Sequence, residues 1–414
     1  MPPSEATRLF RARTVVPVSR PPIADGGVAV RDGEILDVGS WNDLIRGHPG
    51  AIPEDLGECI LLPGLINAHC HLDCTMMRGA LFGGGSFSAW IQRLNAMRRL
   101  LDQRDYLDAI AAGESELRRW GCTTVLNIES FPELVPFLPG SSIRIWWFLE
   151  VMDVRSRLES SEALAGAIHF FEKAGEHRGG FGISPHAPYT ASQDLYALSA
   201  SFAGKYNLPL CTHLAESDEE LAMFLKGEGA LHEFLRSIGR PMDDCDGKSP
   251  VQAVLGSGIL PEGSLLVHMN MITGADKDLL RASAGMYPVI HCPRTHAFFE
   301  RPPFDLEFYR ESGIPVLLGT DSLASNEDLN MFAEMRAMQS SFPGLDPCEI
   351  LAMATIRPAG AIGLEGRLGE LAPGAMADFI AIPDQGGGSE SPAGVAERIL
   401  ANRMPPDVWI AGRR

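Results

Sequence analysis

Apolar and polar positions fall into three regimes along the chain. Through residues 8 to 60 they change over short strand-like runs. Thr14-Val15-Val16-Pro17-Val18 is followed by Gly26 to Gly39, where Asp32-Gly33 separates two alternating segments, a hairpin signal. From about 61 to 355 short apolar runs alternate with stretches of helical period. Strands are expected at 65–68, 123–128, 143–148, 180–184, 209–212, 264–267, 286–290 and 315–319. Helices are expected at 87–101, 105–120, 159–175, 192–205, 217–238, 275–284, 304–312, 327–340 and 346–356. Eight strand–helix units in succession predict an α/β fold of the (β/α)₈ TIM-type barrel class. After 365 the pattern returns to strands and turns, with Ala377 to Ile382, a Gly/Ser loop at Gly386 to Ser389, and Val408 to Gly412. The expected organisation is a barrel over 61–359 and a small β-sandwich domain built from both chain ends, 1–60 and 360–414.

Composition narrows the function. The 414 residues are 45% apolar and 21% charged, and the net charge is −18. So acidic a chain repels phosphates, which argues against nucleic-acid and anionic-membrane partners and leaves a small-molecule substrate. Eight cysteines without a Cys-x-x-Cys pair read as reduced thiols, and a cytoplasmic location is expected. Cys70 and Cys74 are read as buried thiols rather than ligands. Met1 to Glu5 carries no basic segment leading into an apolar one, and no uncharged apolar run reaches transmembrane length.

The chemistry gathers on one motif. In Leu61-Leu62-Pro63-Gly64-Leu65-Ile66-Asn67-Ala68-His69-Cys70-His71-Leu72-Asp73 two histidines stand i, i+2 at the end of a predicted strand. That spacing points both imidazoles to one face. Alone, the pair is as compatible with two surface histidines as with a metal site. Position decides between them. His186 follows the fourth strand, His213 ends the fifth, His268 ends the sixth and Asp321 ends the eighth. Barrel chemistry collects at the C-terminal ends of the strands, and five of the chain's eleven histidines fall there. Three imidazoles and a carboxylate suit one divalent metal per subunit, zinc first and iron as the alternative. Such a metal lowers the pKa of a bound water and yields a hydroxide nucleophile.

These residues, with His213-Leu214-Ala215-Glu216, Gly319-Thr320-Asp321-Ser322 and Gly374-Ala375-Met376-Ala377-Asp378, resemble the amidohydrolase superfamily in order over nearly the whole chain. The resemblance is to its cytosine/guanine/adenosine-type deaminase and chlorohydrolase branch. It implies that His69, His71 and His213 bind metal, with Asp321 as ligand or close partner and as base toward the water. It implies that Glu216 shuttles protons, that His268 polarises the water and that His186 contacts substrate. Relatives with two metals carry a bridging lysine at the fourth strand. Here that strand ends Ile183-Ser184-Pro185-His186, which favours a single metal. Members of the branch are often dimers or larger, so a homodimer is an option.

The implied reaction is hydrolytic deamination of an aminated purine-type heterocycle or nucleoside with release of ammonia. Displacing an amine from an amidine carbon needs a nucleophile, a proton for the ring nitrogen and a proton for the departing nitrogen, and one carboxylic acid can serve both transfers. The alternative is a hydrolase on the same scaffold acting on a chloro- or alkylamino-triazine or a cyclic amide. Substrate choice is assigned to the Gly-rich stretch from Asp73 to Trp90, whose Phe82, Phe87 and Trp90 could cover a flat ring. Arg78 could pair with a substrate carboxylate or with Asp73. Ser322-Leu323-Ala324-Ser325-Asn326 resembles the form found in aminodeoxyfutalosine deaminases, which adds Ser322 to the expected substrate contacts, whereas Cys292-Pro293-Arg294-Thr295-His296 departs from the Cys-Pro-Arg-Ser-Asn common in the branch. His291 is expected to be structural.

Overall fold

Runs of β-branched and leucine residues that are buried on both faces become the parallel strands. Leu265–His268, Val289–His291 and Val316–Leu318 are buried throughout, as strands covered by helices must be. In the computed structural model, residues 6–138, 140–154, 159–173, 178–283, 285–384, 386 and 390–414 are described. Met1 to Glu5, Gly387 to Ser389 of the expected loop, and the last positions of the helices expected at 159–175 and 275–284 lie outside them.

The strands Cys211–Leu214, Leu265–His268, Val289–His291 and Val316–Leu318 pair in that order, all parallel. A five-stranded sheet runs Asp321–Ser322, Leu65–His71, Cys122–Glu129, Arg144–Val151 and Gly179–Pro185. A parallel bridge between Ile183 and Leu210 joins the two sheets at one side. At the other side the last strand is split. Val316–Leu318 pairs with Val289–His291, and after Gly319-Thr320 the chain pairs Asp321 with Cys70 and Ser322 with His71. The eight expected strands thus run as a β/α barrel. The split needs glycine: a Cβ on residue 319 would lie 2.8 Å from the His69 Cβ and 2.9 Å from its backbone nitrogen.

Helix starts follow their caps. Ser192, Ser217, Ser249 and Thr273 each accept a backbone N–H of the first turn. The helix expected over 217–238 is two, Asp218–Lys226 and Ala230–Ser237, because Gly227 takes the left-handed conformation (φ 64°) that ends a helix. Short helices at Trp41–Gly47, Pro250–Val254, Pro293–Phe298, Ile356–Ala361 and Pro392–Leu400 add to the expected set.

Contacts divide the chain into two units. One takes the residues up to Ala68, Glu114–Val125 and Leu329–Arg414; the other takes His69–Gly113 and Leu126–Asp328. Residues 61–68, 114–125 and 329–359, expected in the barrel segment, therefore group with the chain ends. The first unit carries a seven-stranded sheet drawn from both ends: Asp407–Trp409, Phe379–Pro383, Cys59–Pro63, Arg8–Val15, Ile23–Arg31 and Glu34–Ser40, with Ile52–Asp55 also on Arg8–Val15. Phe10 and Trp409 are three strands apart, about 14 Å in a flat sheet. Their rings lie 6.0 Å apart, with Phe379 between them. The sheet is one continuous surface that curls around its own apolar core.

Candidate active site

All the expected metal and proton-transfer residues lie in the second unit. His69 and His71 sit within Leu65–His71, and His213 and His268 within their strands. Ala215, His268, Met269 and Asp321 are non-glycine residues at positive φ (51°, 76°, 50° and 57°). Left-handed backbone is disfavoured for side chains bearing a Cβ, and such strain gathers at functional sites. Here it bends the fifth, sixth and eighth strand ends where the site residues stand.

Nε2 of His71 lies 3.2 Å from Nε2 of His213. Asp321 Oδ1 is 3.6 Å from His69 Nε2 and 3.8 Å from His71 Nε2. Nε2 of His268 is 3.9 Å from Asp321 Oδ2 and 3.8 Å from Glu216 Oε1. Four sets offer ligand atoms within 4.8 Å of one another among the described residues: His69–His213–His268, His69–His71–Asp321, Glu150–His186–His213 and His268–Cys292–Asp321. Bonds of about 2.0–2.1 Å around tetrahedral zinc put neighbouring ligand atoms about 3.3–3.4 Å apart, so these separations fit a shared cation. The tautomers fit too. His213 Nδ1 donates to the His186 carbonyl at 2.9 Å, leaving the Nε2 lone pair for the site.

Burial disfavours the charged form of His71, His186, His213 and His268. His213 and His186 are pushed down to about 3, and His71 and His268 fall well below the usual imidazole value. Burial comes first in each case, and the neighbouring charges add to or oppose it. Burial alone would raise Asp321, but His69, His268 and His71 outweigh it and hold its carboxyl well below the usual carboxylate range. Glu216 behaves oppositely. Burial raises it well above an ordinary glutamate, with Arg301 opposing and Asp321 and Glu220 adding. One carboxyl of the site is therefore held ionised and the other held as the acid.

A cavity of about 570 Å³ opens on this cluster. His71, His186, His213, Glu216, His268, Asp321 and Ser322 line one end, and Phe87, Trp90, Leu94, Phe234 and Phe299 are among its apolar walls. Of the residues assigned to substrate, His186, Trp90 and Ser322 line it. The structure does not bring Arg78 or Phe82 there. Phe82 is 76% exposed, and Arg78 donates to the Glu327 carbonyl. Asp73 is paired with Arg98 instead, at 2.8 Å. The short 3₁₀ turn Leu72–Met77 directs Arg78 outward, a turn that no apolar periodicity announces. His291 is buried and stacks on Phe304 at 4.0 Å. His296 reaches Asn270, whose amide donates to the Glu216 carbonyl.

Four residues were not singled out from sequence. Glu220 accepts from the Glu216 and Ala215 backbone N–H groups at 2.7 and 3.3 Å. Arg301 packs over the rings of Phe87 and Phe299. Arg98 and Glu150 line the cavity. Glu220 had a readable signal, since Ser217 followed by Glu220 is a capping pattern. The other three had none, because charges at strand ends, at helix ends and in loops look alike in sequence.

A histidine–aspartate cluster on a parallel barrel, with a separate buried glutamic acid beside it, defines a metal-dependent hydrolase. The chain belongs to the amidohydrolase family, whose profile matches residues 60–413. It is 31% identical over 346 residues to an aminodeoxyfutalosine deaminase of Deinococcus radiodurans, covering 80% of each chain. It is 28% identical over 377 residues to a 5-methylthioadenosine/S-adenosylhomocysteine deaminase of Desulfovibrio desulfuricans, covering 87% of this chain and 80% of that one. The Helicobacter pylori aminofutalosine deaminase solved with methylthio-coformycin superposes with a TM-score of 0.87 at 23% identity, covering 98% and 99% of the two chains. Members of this family bind a divalent metal, and the cluster can hold one. Among the described residues no helix is long and apolar enough to cross a membrane, and no disulfide joins any of the eight cysteines.

Proposed function

We propose that the protein is a hydrolytic deaminase of an aminopurine nucleoside, using one zinc ion held by His69, His71, His213 and Asp321. The observation that carries the reading is Glu216. Its carboxyl is buried on the cavity wall 3.8 Å from His268 Nε2, and burial favours its protonated form. When bound, the metal supplies Lewis-acid activation of water at neutral pH. Glu216 gives its proton to a ring nitrogen of the substrate, which makes the adjacent carbon electrophilic. It then takes a proton back and passes it to the leaving nitrogen, so that ammonia departs. Asp321, ionised in the free site, accepts one proton from the attacking water; the water's second proton is the one Glu216 passes to the leaving nitrogen, and return of the Asp321 proton to Glu216 restores the acid. His268, between Glu216 and Asp321, is neutral and orients that water. Trp90 and Phe299, in edge contact at 5.1 Å, wall the cavity against bulk water.

Both the Deinococcus and the Desulfovibrio relatives carry names of deaminases, which supports amine loss over the triazine or cyclic-amide alternative. The test is ammonia release from a panel of adenosine, S-adenosylhomocysteine, aminodeoxyfutalosine and guanine by zinc-loaded enzyme. Turnover of at least one nucleoside is the expected result. Release of chloride from a chlorotriazine without any ammonia from the panel would replace this reading with the alternative.

A further inference from the structure

Glu150 stands near the end of the strand Arg144–Val151 and is not one of the four proposed metal ligands, although its carboxylate, His186 and His213 offer ligand atoms within 4.8 Å of one another. Its side chain is 2% exposed, yet it lines the cavity. Oε1 is buried and accepts no hydrogen bond among the described residues; its nearest charged or titratable partner is Nε2 of His186 at 3.8 Å. Arg98 also lines the cavity and is within electrostatic reach of Glu150, but its Nη2 is committed to Asp73, Cys74 and Ser130. A buried acceptor without a donor is destabilising, and more so when it is ionised. In native structures such a group is met by a bound water, ion or ligand, or serves catalysis.

The position suggests the ligand group. His186 and His213 rings are 4.8 Å apart, so Glu150 is one side chain removed from the metal cluster. On the proposed reading the purine's amino-bearing carbon lies at the cluster and Glu216. Glu150 lines the same cavity, within reach of a group attached to that ring. The apolar walls of the cavity also include Met152, Val154, Phe234 and Leu235. A carboxylate is acceptor-only and has two oxygens, which match a pair of adjacent hydroxyl donors.

We propose that Glu150 is a specificity-determining residue that accepts the vicinal hydroxyls of the substrate's sugar, so that the site selects a ribonucleoside over its free base. The proposal rests on the deaminase reading above. The strand holds Glu150 rigidly: residues 145–151 pair in register with 179–185, setting Glu150 opposite Ser184 and Val151 opposite Pro185, and the His186 N–H donates to the Val151 carbonyl at 3.1 Å. Its carboxylate is thus pre-placed, and the substrate's hydroxyls complete it. A site built for hydroxyls discriminates strongly against analogues that lack them.

The experiment compares adenosine with 2′,3′-dideoxyadenosine and adenine in ammonia release, for wild type and Glu150→Gln. It also measures equilibrium binding of both nucleosides to the inactive Glu216→Gln enzyme. Wild type is expected to lose at least about tenfold in kcat/KM when both hydroxyls are removed, mostly in KM. In Glu150→Gln the contrast should shrink to within about threefold, with the metal content and the melting temperature unchanged. Equal use of adenosine and its dideoxy form by wild type overturns the assignment, as does an undiminished contrast in Glu150→Gln. Absence of any turnover together with a hydroxyl-dependent affinity would reject the deaminase reading and keep the sugar subsite. Absence of both rejects both.

Discussion

Replacing Glu220 by glutamine perturbs the turn that carries Glu216. The Glu220 carboxylate is fully buried and accepts the Glu216 N–H at 2.7 Å and the Ala215 N–H at 3.3 Å. Glutamine keeps one oxygen and turns an NH₂ toward the other N–H, so one buried donor loses its acceptor. That destabilises by about 1–3 kcal/mol. A second effect has the opposite sign. Burial is the main cause that raises Glu220 to about 7 against three opposing backbone hydrogen bonds, from an ordinary value of 4.5. Its folded pKa exceeds its unfolded one, so between those values the folded protein binds more protons. Wild type therefore loses stability as pH rises from about 4.5 to about 7, by roughly 3 kcal/mol. Glutamine does not titrate. The variant is expected to be less stable than wild type at pH 5, with the gap closing or reversing by pH 8. Urea unfolding at both pH values reads this directly. Since the same turn aims Glu216, kcat should fall about 10²-fold with KM little changed. A stability gap that is constant or widens toward pH 8 refutes the burial argument, and a wild-type kcat refutes the positioning role.

Two further outcomes follow from the cluster. His213→Ala removes the ring facing His71 across 3.2 Å; metal affinity should drop by more than the roughly 10–100-fold lost with an outer partner. Metal analysis after desalting checks it, and full retention would remove His213 from the ligand set. Gly319→Ala puts a methyl group against His69; overpacking of this kind costs about 1–3 kcal/mol. Stability and metal retention should fall together, and an unchanged melt and metal content would show that the split strand gives way freely.

How much was legible depended on whether a residue's role rests on period or on contact. The eight parallel strands were readable because each is a short apolar run bounded by Gly, Pro or a capped helix. Their C-terminal ends then located His69, His71, His213, His268 and Asp321 without any knowledge of distances. The helix break at Gly227 was readable in principle, since Gly-Glu-Gly interrupts the period. The terminal helix Pro392–Leu400 also carried its signal, Ser391 as cap and proline in the first turn, but the surrounding strand pattern masked it. Arg78 and Arg98 illustrate the limit. Both follow the histidine motif, and only the 3₁₀ turn and the helix Phe87–Arg98 decide that Arg98 reaches Asp73 and the cavity while Arg78 faces outward. Glu150 was invisible for a related reason: a glutamate near the end of an apolar strand gives no sign of whether its carboxylate meets a lysine, water or a ligand.

The separation of roles between a metal cluster and a protonated Glu216 is tested most directly in Glu216→Gln. Zinc content and ammonia release should be measured on the same preparation against a nucleoside that wild type deaminates. The account predicts wild-type zinc content and a fall in kcat of at least about 10²-fold, the contribution typical of a general acid–base group. Wild-type ammonia release by zinc-loaded Glu216→Gln would contradict it.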